Sequence, residues 1–329
     1  MKYLISLILV LFSSNLLVAE DNDWIFDRLN IYTENDKYFG TDDGYSNGAR
    51  ITALYFIPEE DYAVFNLLDY ENDKTYSYIT FSLANQIFTP TNTTTNSLIA
   101  DDRPYAGWTY FETAIHKTTR TYLRSLSLKI GAIGPASGTK EIQNKFHELI
   151  DSDRVNGWGN QLHNELGLNL KYTQKWIYFI RDSTSLEASI SPFVSAELGN
   201  VAINASTGVM ARIGFNIPKD YGVSSIDIGA DPGIPVYGEY TSMRAKPWSF
   251  SFNLIAKGSA IARDMFLDGN TFTNSHSVNI EHFVANYGTG FTLRYKKFVV
   301  DMMVVETTKQ FDLQKETHGI GTMTLSYLF

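Results

Sequence analysis

The chain has 329 residues, 44% of them hydrophobic and 19% charged, and no cysteine, which excludes a disulfide framework, a thiolate metal site and a cysteine nucleophile. With 27 Lys+Arg against 36 Asp+Glu the net charge is -9, which argues against a nucleic-acid partner. An aromatic share of 14% (20 Tyr, 21 Phe, 5 Trp) excludes a disordered chain, and beyond residue 19 no run of roughly 18 apolar residues marks a membrane helix.

Residues 1–19 read as a signal peptide. Lys2 supplies the positive start, Leu4 to Phe12 the apolar stretch and Ala19 the cleavage position. A single membrane anchor is the other reading, but Ser13, Ser14 and Asn15 interrupt its apolar run. Loss of Lys2 takes the charge from -9 to -10, so the expected mature chain, 20–329, is exported and acidic.

From there on, alternation with period two dominates. Tyr76 to Leu83 and Tyr122 to Ile130 are examples. Twelve such segments fall near 24–34, 45–57, 75–87, 106–117, 121–133, 163–177, 183–198, 205–216, 247–263, 275–287, 289–305 and 317–329. Turn-like pieces such as Thr118-Thr119-Arg120 and Asn286-Tyr287-Gly288 separate them. In the last segment Met323, Leu325, Tyr327 and Phe329 share one face and Thr324 and Ser326 the other. By analogy, an alternating final strand ending in Phe is what bacterial outer-membrane barrels present to the barrel assembly machinery, an expected partner during insertion.

A sheet in hydrocarbon must close, because open edges leave backbone groups unpaired. Its strands then alternate apolar-out and polar-in, with aromatic girdles at both interfaces. The expected fold is therefore all-β: a twelve-stranded antiparallel transmembrane β-barrel over 20–329, multi-pass in the bacterial outer membrane, with one short helix in an outer loop. A soluble secreted β-sandwich would also alternate, but would expose far fewer aromatics. If the N-terminus starts inside, the connections 35–44, 88–105 and 134–162 lie outside. An inner connection, roughly 217–246, is longer than the short turns usual there.

Residues 139–151 break the strand period. Ile142, Phe146, Leu149 and Ile150 make an apolar stripe of helical spacing, suited to rest on the barrel rim or on lipid. Gln143 and His147, four apart, stack beside it. Two polar clusters, Thr33 to Asp36 and Asp42 to Gly48, flank the first outer loop on the same rim. Together they supply His, Asn, Asp, Ser and Gln, the parts for ester hydrolysis. The acidic loop residues also suit a hard cation such as calcium, although acidic loops are more often just solvated. His163-Asn164-Glu165 looks catalytic by composition but reads as rim hydrogen bonding.

Several ordered pieces resemble the outer-membrane lipid A 3′-O-deacylase family: Glu34-Asn35-Asp36, Gly44-Tyr45-Ser46-Asn47-Gly48, Asp102-Arg103-Pro104-Tyr105-Ala106-Gly107, Ile133-Gly134-Pro135, Glu141 to His147, and Trp158-Gly159-Asn160-Gln161. They cover most of residues 24–180, and the second half matches only as barrel strands. The resemblance implies a twelve-stranded barrel and calcium-dependent hydrolysis of the 3′-acyloxyacyl ester of lipid A, remodelling lipopolysaccharide in the outer leaflet. It carries the active-site Asn–Asp pair onto Asn35 and Asp36, the hydroxyl residue onto Ser46, and the helix Gln and His onto Gln143 and His147. An acidic residue after the helix falls on Asp153, so Asp36 and Asp153 are the implied calcium ligands. A lysine that some members place in the second outer loop for the lipid A phosphate is missing here, with Thr95 at about that place.

Two mechanisms stay open. In one, His147 is the general base for an attacking water; in the other, Ser46 is the nucleophile and His147 its base. Gly-Tyr-Ser-Asn-Gly around Ser46 is not a nucleophile elbow, since no helix follows it. Competing functions are a passive outer-membrane pore or adhesin, and a barrel that hydrolyses glycerophospholipids. Expected partners are lipid A or lipopolysaccharide and other outer-membrane lipids.

Overall fold

In β1 (Ile25–Asn35), Arg28, Asn30, Tyr32 and Glu34 are buried, whereas Ile31 is 44% exposed. In β13 (His318–Leu328), Thr322, Thr324 and Ser326 are buried and Leu325 is exposed. Polar residues inside and apolar residues outside is the pattern of a wall whose solvent is lipid. The computed structural model describes residues 24–36, 44–58, 63–69, 75–149, 154–181, 186–222, 233–236 and 246–329. The expected signal peptide and Asp153 lie outside these residues.

The other strands are β2 (Gly44–Ile57), β3 (Tyr76–Thr89), β4 (Ala106–Thr118), β5 (Tyr122–Ile133), β6 (Glu165–Trp176), β7 (Tyr178–Arg181), β8 (Leu186–Gly199), β9 (Ala202–Phe215), β10 (Trp248–Asp264), β11 (Phe283–Tyr295) and β12 (Phe298–Thr307). Chain neighbours pair antiparallel, and β13 returns to β1 from Arg28↔Leu328 to Asn35↔Gly321. β6 and β7 form one stave interrupted at Ile177, since β8 pairs with β6 above the break and with β7 below it. The sheet is a closed antiparallel barrel of twelve staves, as the period-two pattern predicts. Among the described residues no helix is long and apolar enough to cross a membrane.

The rim that carries both described ends of the chain has an aromatic girdle. Phe26 lies 4.3 Å from Phe329 and 5.0 Å from Tyr55, and Tyr327 lies 4.8 Å from Phe329, between ring centroids. One expectation is corrected. Asn286-Tyr287-Gly288 is not a turn: β11 runs straight through it, and the turn falls at Lys296, where φ is 53°. The strand needs its glycines for close packing instead. A Cβ on Gly290 would sit 2.1 Å from the Met302 carbonyl oxygen across the β11–β12 ladder.

The long connection after β9 has a place in the fold. Tyr221 N–H donates to the Ile234 carbonyl at 3.1 Å and Val236 N–H to that of Lys219 at 2.9 Å. This pair of segments enters the bore, where Tyr221, Ile234 and Val236 pack with Leu54, Tyr78 and Leu123. Arg212 pairs with Asp220, and Lys175 Nζ donates to the Tyr221 carbonyl at 3.0 Å. The opposite end is filled by α2 (Met265–Asp268), begun by Asp264, whose side chain accepts from Phe266 N–H at 2.9 Å. Phe266 stacks on Phe88 at 4.0 Å beside Trp108 and Tyr45. A bore packed at both ends disfavours the passive-pore reading.

Candidate active site

The helix α1 (Thr139–Leu149) follows a short turn over Gly134–Ser137 and a left-handed Gly138 with φ 67°. At its start, Thr139 N–H donates to Ser137 Oγ at 3.3 Å, satisfying one of the amide donors that a first helical turn leaves open. Asn85 fixes its position, donating through Nδ2 to Thr109 Oγ1 at 2.7 Å and to Thr139 Oγ1 at 2.8 Å. Beneath the helix β4 carries Gly107, where a Cβ would lie 2.3 Å from that of Thr139.

The strand parity tells which side of the wall this is. In β3, Ala84 and Phe88 face the bore, so Asn85, Ile87 and Thr89 face outward. The helix therefore lies on the outside of the barrel, at the loop rim. Its amphipathicity is the inverse of a helix on a soluble core. Ile142 and Phe146 are 47% and 41% exposed, while Gln143 and His147 are 3% and 4% exposed. Ile142 and Phe146 therefore do not pack on the barrel wall but stand exposed on its outer side. In hydrocarbon an apolar side chain costs nothing outside, and the polar pair turns inward where partners exist.

Trp158 packs beside the buried polar pair. Its Nε1 donates to Gln143 Oε1 at 2.8 Å, and its ring lies 5.4 Å from that of Tyr105 in a cluster with Ile87 and Val155. The third loop is stitched to the second. Asn156 N–H donates to the Thr93 carbonyl at 3.0 Å, and Asn160 Nδ2 to that of Asn96 at 2.9 Å.

Ser46 is the extra residue of a β-bulge, between the register pairs Tyr45↔Phe88 and Asn47↔Ile87. The bulge lets its hydroxyl reach Thr89 Oγ1 in a short hydrogen bond on the outer face. Asn35 pairs in register with Asn47, beside the bulge, and Asp36 follows fully buried at the strand end. Asn35, Asp36, Ser46, Gln143 and His147 thus share one rim, spanned by β1 to β4 and the helix against β3 and β4. Asp153, the last residue of the implied set, lies outside the described residues.

Among the described residues no three His, Cys, Asp or Glu side chains gather as a metal cluster. The donors at this corner are nonetheless of the kind calcium takes. Asp36 offers a buried carboxylate, Asn35 an amide oxygen, and Ser46 and Thr89 hydroxyls, all hard oxygens with no thiol.

His163-Asn164-Glu165 holds the rim together, in line with its sequence reading. Asn164 Oδ1 accepts from Ala136 N–H at 2.7 Å. Glu165 accepts from Asn200 Nδ2 at 2.9 Å, Thr271 N–H at 2.9 Å and Asn270 Nδ2 at 3.1 Å. Sequence reasoning gave no role to Thr89 or Trp158. Thr89 carries no local signal at all, and Trp158 stood only as part of a motif.

A closed barrel packed toward both ends of its bore, with polar side chains buried under a helix on the outer side of its wall, defines the class: an outer-membrane β-barrel with a polar cluster outside the bore. The sequence profile of the family described as "Outer membrane protein LpxR" matches residues 4–329. The chain belongs to this family, the outer-membrane lipid A deacylases, and is an ester hydrolase of the outer membrane. The solved structure of LpxR from Salmonella typhimurium shares the fold, with a TM-score of 0.73 and 19% identity over 92% of this chain and 100% of that one. The β domain of the Bordetella autotransporter BrkA is looser, at TM-score 0.45 and 9% identity over 94% and 100% of the two chains. No curated protein sequence matches.

Proposed function

We propose that the protein hydrolyses the 3′-acyloxyacyl ester of lipid A in the outer leaflet, and that the chamber between α1 and the outer wall is the active site. The observation that carries this reading is the inverted helix: His147 and Gln143 buried, Ile142 and Phe146 turned outward. A lipid substrate then enters sideways without exposing its acyl chains to water, which would cost about 0.8 kcal/mol per methylene.

His147 acts as general base, taking a proton from the water that attacks the ester carbonyl. The carbonyl–oxygen bond then breaks, freeing the sugar 3′-hydroxyl and releasing the acyloxyacyl chain as a carboxylic acid. Asn35 and Gln143 donate hydrogen bonds or position ligands, and Ser46, tied to Thr89, orients water or substrate. Asp36, with Asp153, would hold calcium. When bound, that ion polarises the ester carbonyl and offsets the charge that develops on its oxygen.

The test is mass spectrometry of lipid A from membranes with and without the protein. The reading expects loss of two acyl chains as one acyloxyacyl unit. Intact lipid A, with fatty acid released from glycerophospholipid, would replace it by the phospholipase reading. Water as the nucleophile has its own test. Ser46→Ala should retain measurable turnover, reduced by about tenfold for the lost hydrogen bond. Complete loss in that variant, together with an acyl adduct on Ser46 in the wild type, would establish the serine mechanism instead.

A further inference from the structure

Gln143 could meet a substrate either as donor, through Nε2, or as acceptor, through Oε1, and its neighbour decides which. An indole N–H can only donate, so the Gln143 atom 2.8 Å from Trp158 Nε1 must be the oxygen. Both side chains are buried, at 1% and 3% exposure, so no bulk water competes for that oxygen. The indole cannot swing away. It packs against Tyr105, and a Cβ on the preceding Gly157 would lie 2.3 Å from the Tyr105 ring. With Oε1 engaged, the two hydrogens on Nε2 are what the amide has left to offer a substrate.

We propose that Trp158 is a positioning residue: it locks the Gln143 carboxamide so that the amide enters the reaction as a hydrogen-bond donor toward the oxygen of the ester carbonyl. This rests on the deacylase reading of the chamber. An unlocked amide presents donor and acceptor edges alike, and an acceptor facing a developing oxyanion repels it. A preset donor needs no reorganisation as charge builds on that oxygen.

The experiment is a double-mutant cycle in the full-length, membrane-inserted protein, with lipid A as substrate and the heat-sensitive gel mobility of the barrel as a check on folding. Trp158→Phe keeps the ring against Tyr105 and removes only the N–H. It should lower kcat by about tenfold with KM unchanged. Gln143→Ala should lower kcat by about a hundredfold. In the Gln143→Ala background Trp158→Phe should cost nothing further, because there is no amide left to orient. Gln143→Glu should be as impaired as Gln143→Ala, since a carboxylate still accepts from the indole but has no hydrogen to give. The indole nitrogen–proton NMR signal of Trp158 should shift in Gln143→Ala whether or not substrate is present.

Wild-type kcat in folded Trp158→Phe would overturn the inference, as would the same fractional loss in both backgrounds, which marks a packing role. In either case the deacylase reading survives. A folded wild type that releases nothing from lipid A would overturn that reading, and the inference with it.

Discussion

Replacing His147 with alanine is expected to abolish lipid A deacylation, lowering kcat by roughly 10²–10⁴-fold, the range a positioned general base contributes. The imidazole is buried at 4% exposure between α1 and the wall, one turn beyond Gln143 on the same face. Nothing else described on that helix can take up a proton there: Lys140 and Lys145 are exposed and cationic, and Glu141 and Glu148 point to solvent. Alanine also leaves a void under the helix, so His147→Asn, which keeps most of the volume and the hydrogen bonding, separates packing from basicity. Both variants should keep the gel mobility of the folded barrel and leave lipid A at its unmodified mass. Deacylated lipid A from folded His147→Asn would remove the imidazole from either mechanism.

Asp36→Asn is expected to be nearly as damaging, by roughly 10²–10³-fold if its charge serves the ester oxygen through a bound cation. The carboxylate follows β1 at 0% exposure, one residue past the pair Asn35↔Asn47 that flanks the Ser46 bulge. The amide keeps the shape and removes the charge that makes the corner attractive to a divalent ion. Wild-type activity should vanish with a chelator and return with calcium, and Asp36→Asn should need far more calcium for half of its residual rate. Asp153→Asn should move the calcium requirement in the same direction. An Asp36→Asn protein with unchanged rate and calcium response would place the ion elsewhere or dispense with it.

Strand number and facing were legible in the sequence because both are local. Parity along Met323, Leu325, Tyr327 and Phe329 holds whatever the strand pairs with, and the closed sheet keeps it. The turn at Lys296 was not, because Gly288 and Gly290 look like turn residues yet serve close strand packing, a property of β12 opposite. The segments at Tyr221 and Ile234 were not either: what buries them is the inside of the barrel, which exists only after closure. At the site, a polar pair at i and i+4 beside an apolar stripe identified α1 and its two functional faces. Which face turns to the protein depends on whether water or lipid surrounds the helix. The Ser46–Thr89 contact and the Trp158–Gln143 bond join residues 43 and 15 positions apart, the first across two strands and the second within one long connection, so no spacing could announce them.

The most direct test of where the chemistry occurs is photo-cross-linking in native membranes. A photoreactive amino acid replaces Phe146, on the lipid face of α1, or Lys129, inside the bore beside Glu197. The captured lipid is then identified by mass spectrometry. Capture of lipid A acyl chain at position 146 and none at 129 is the predicted result. Capture from within the bore, with position 146 silent, would contradict it.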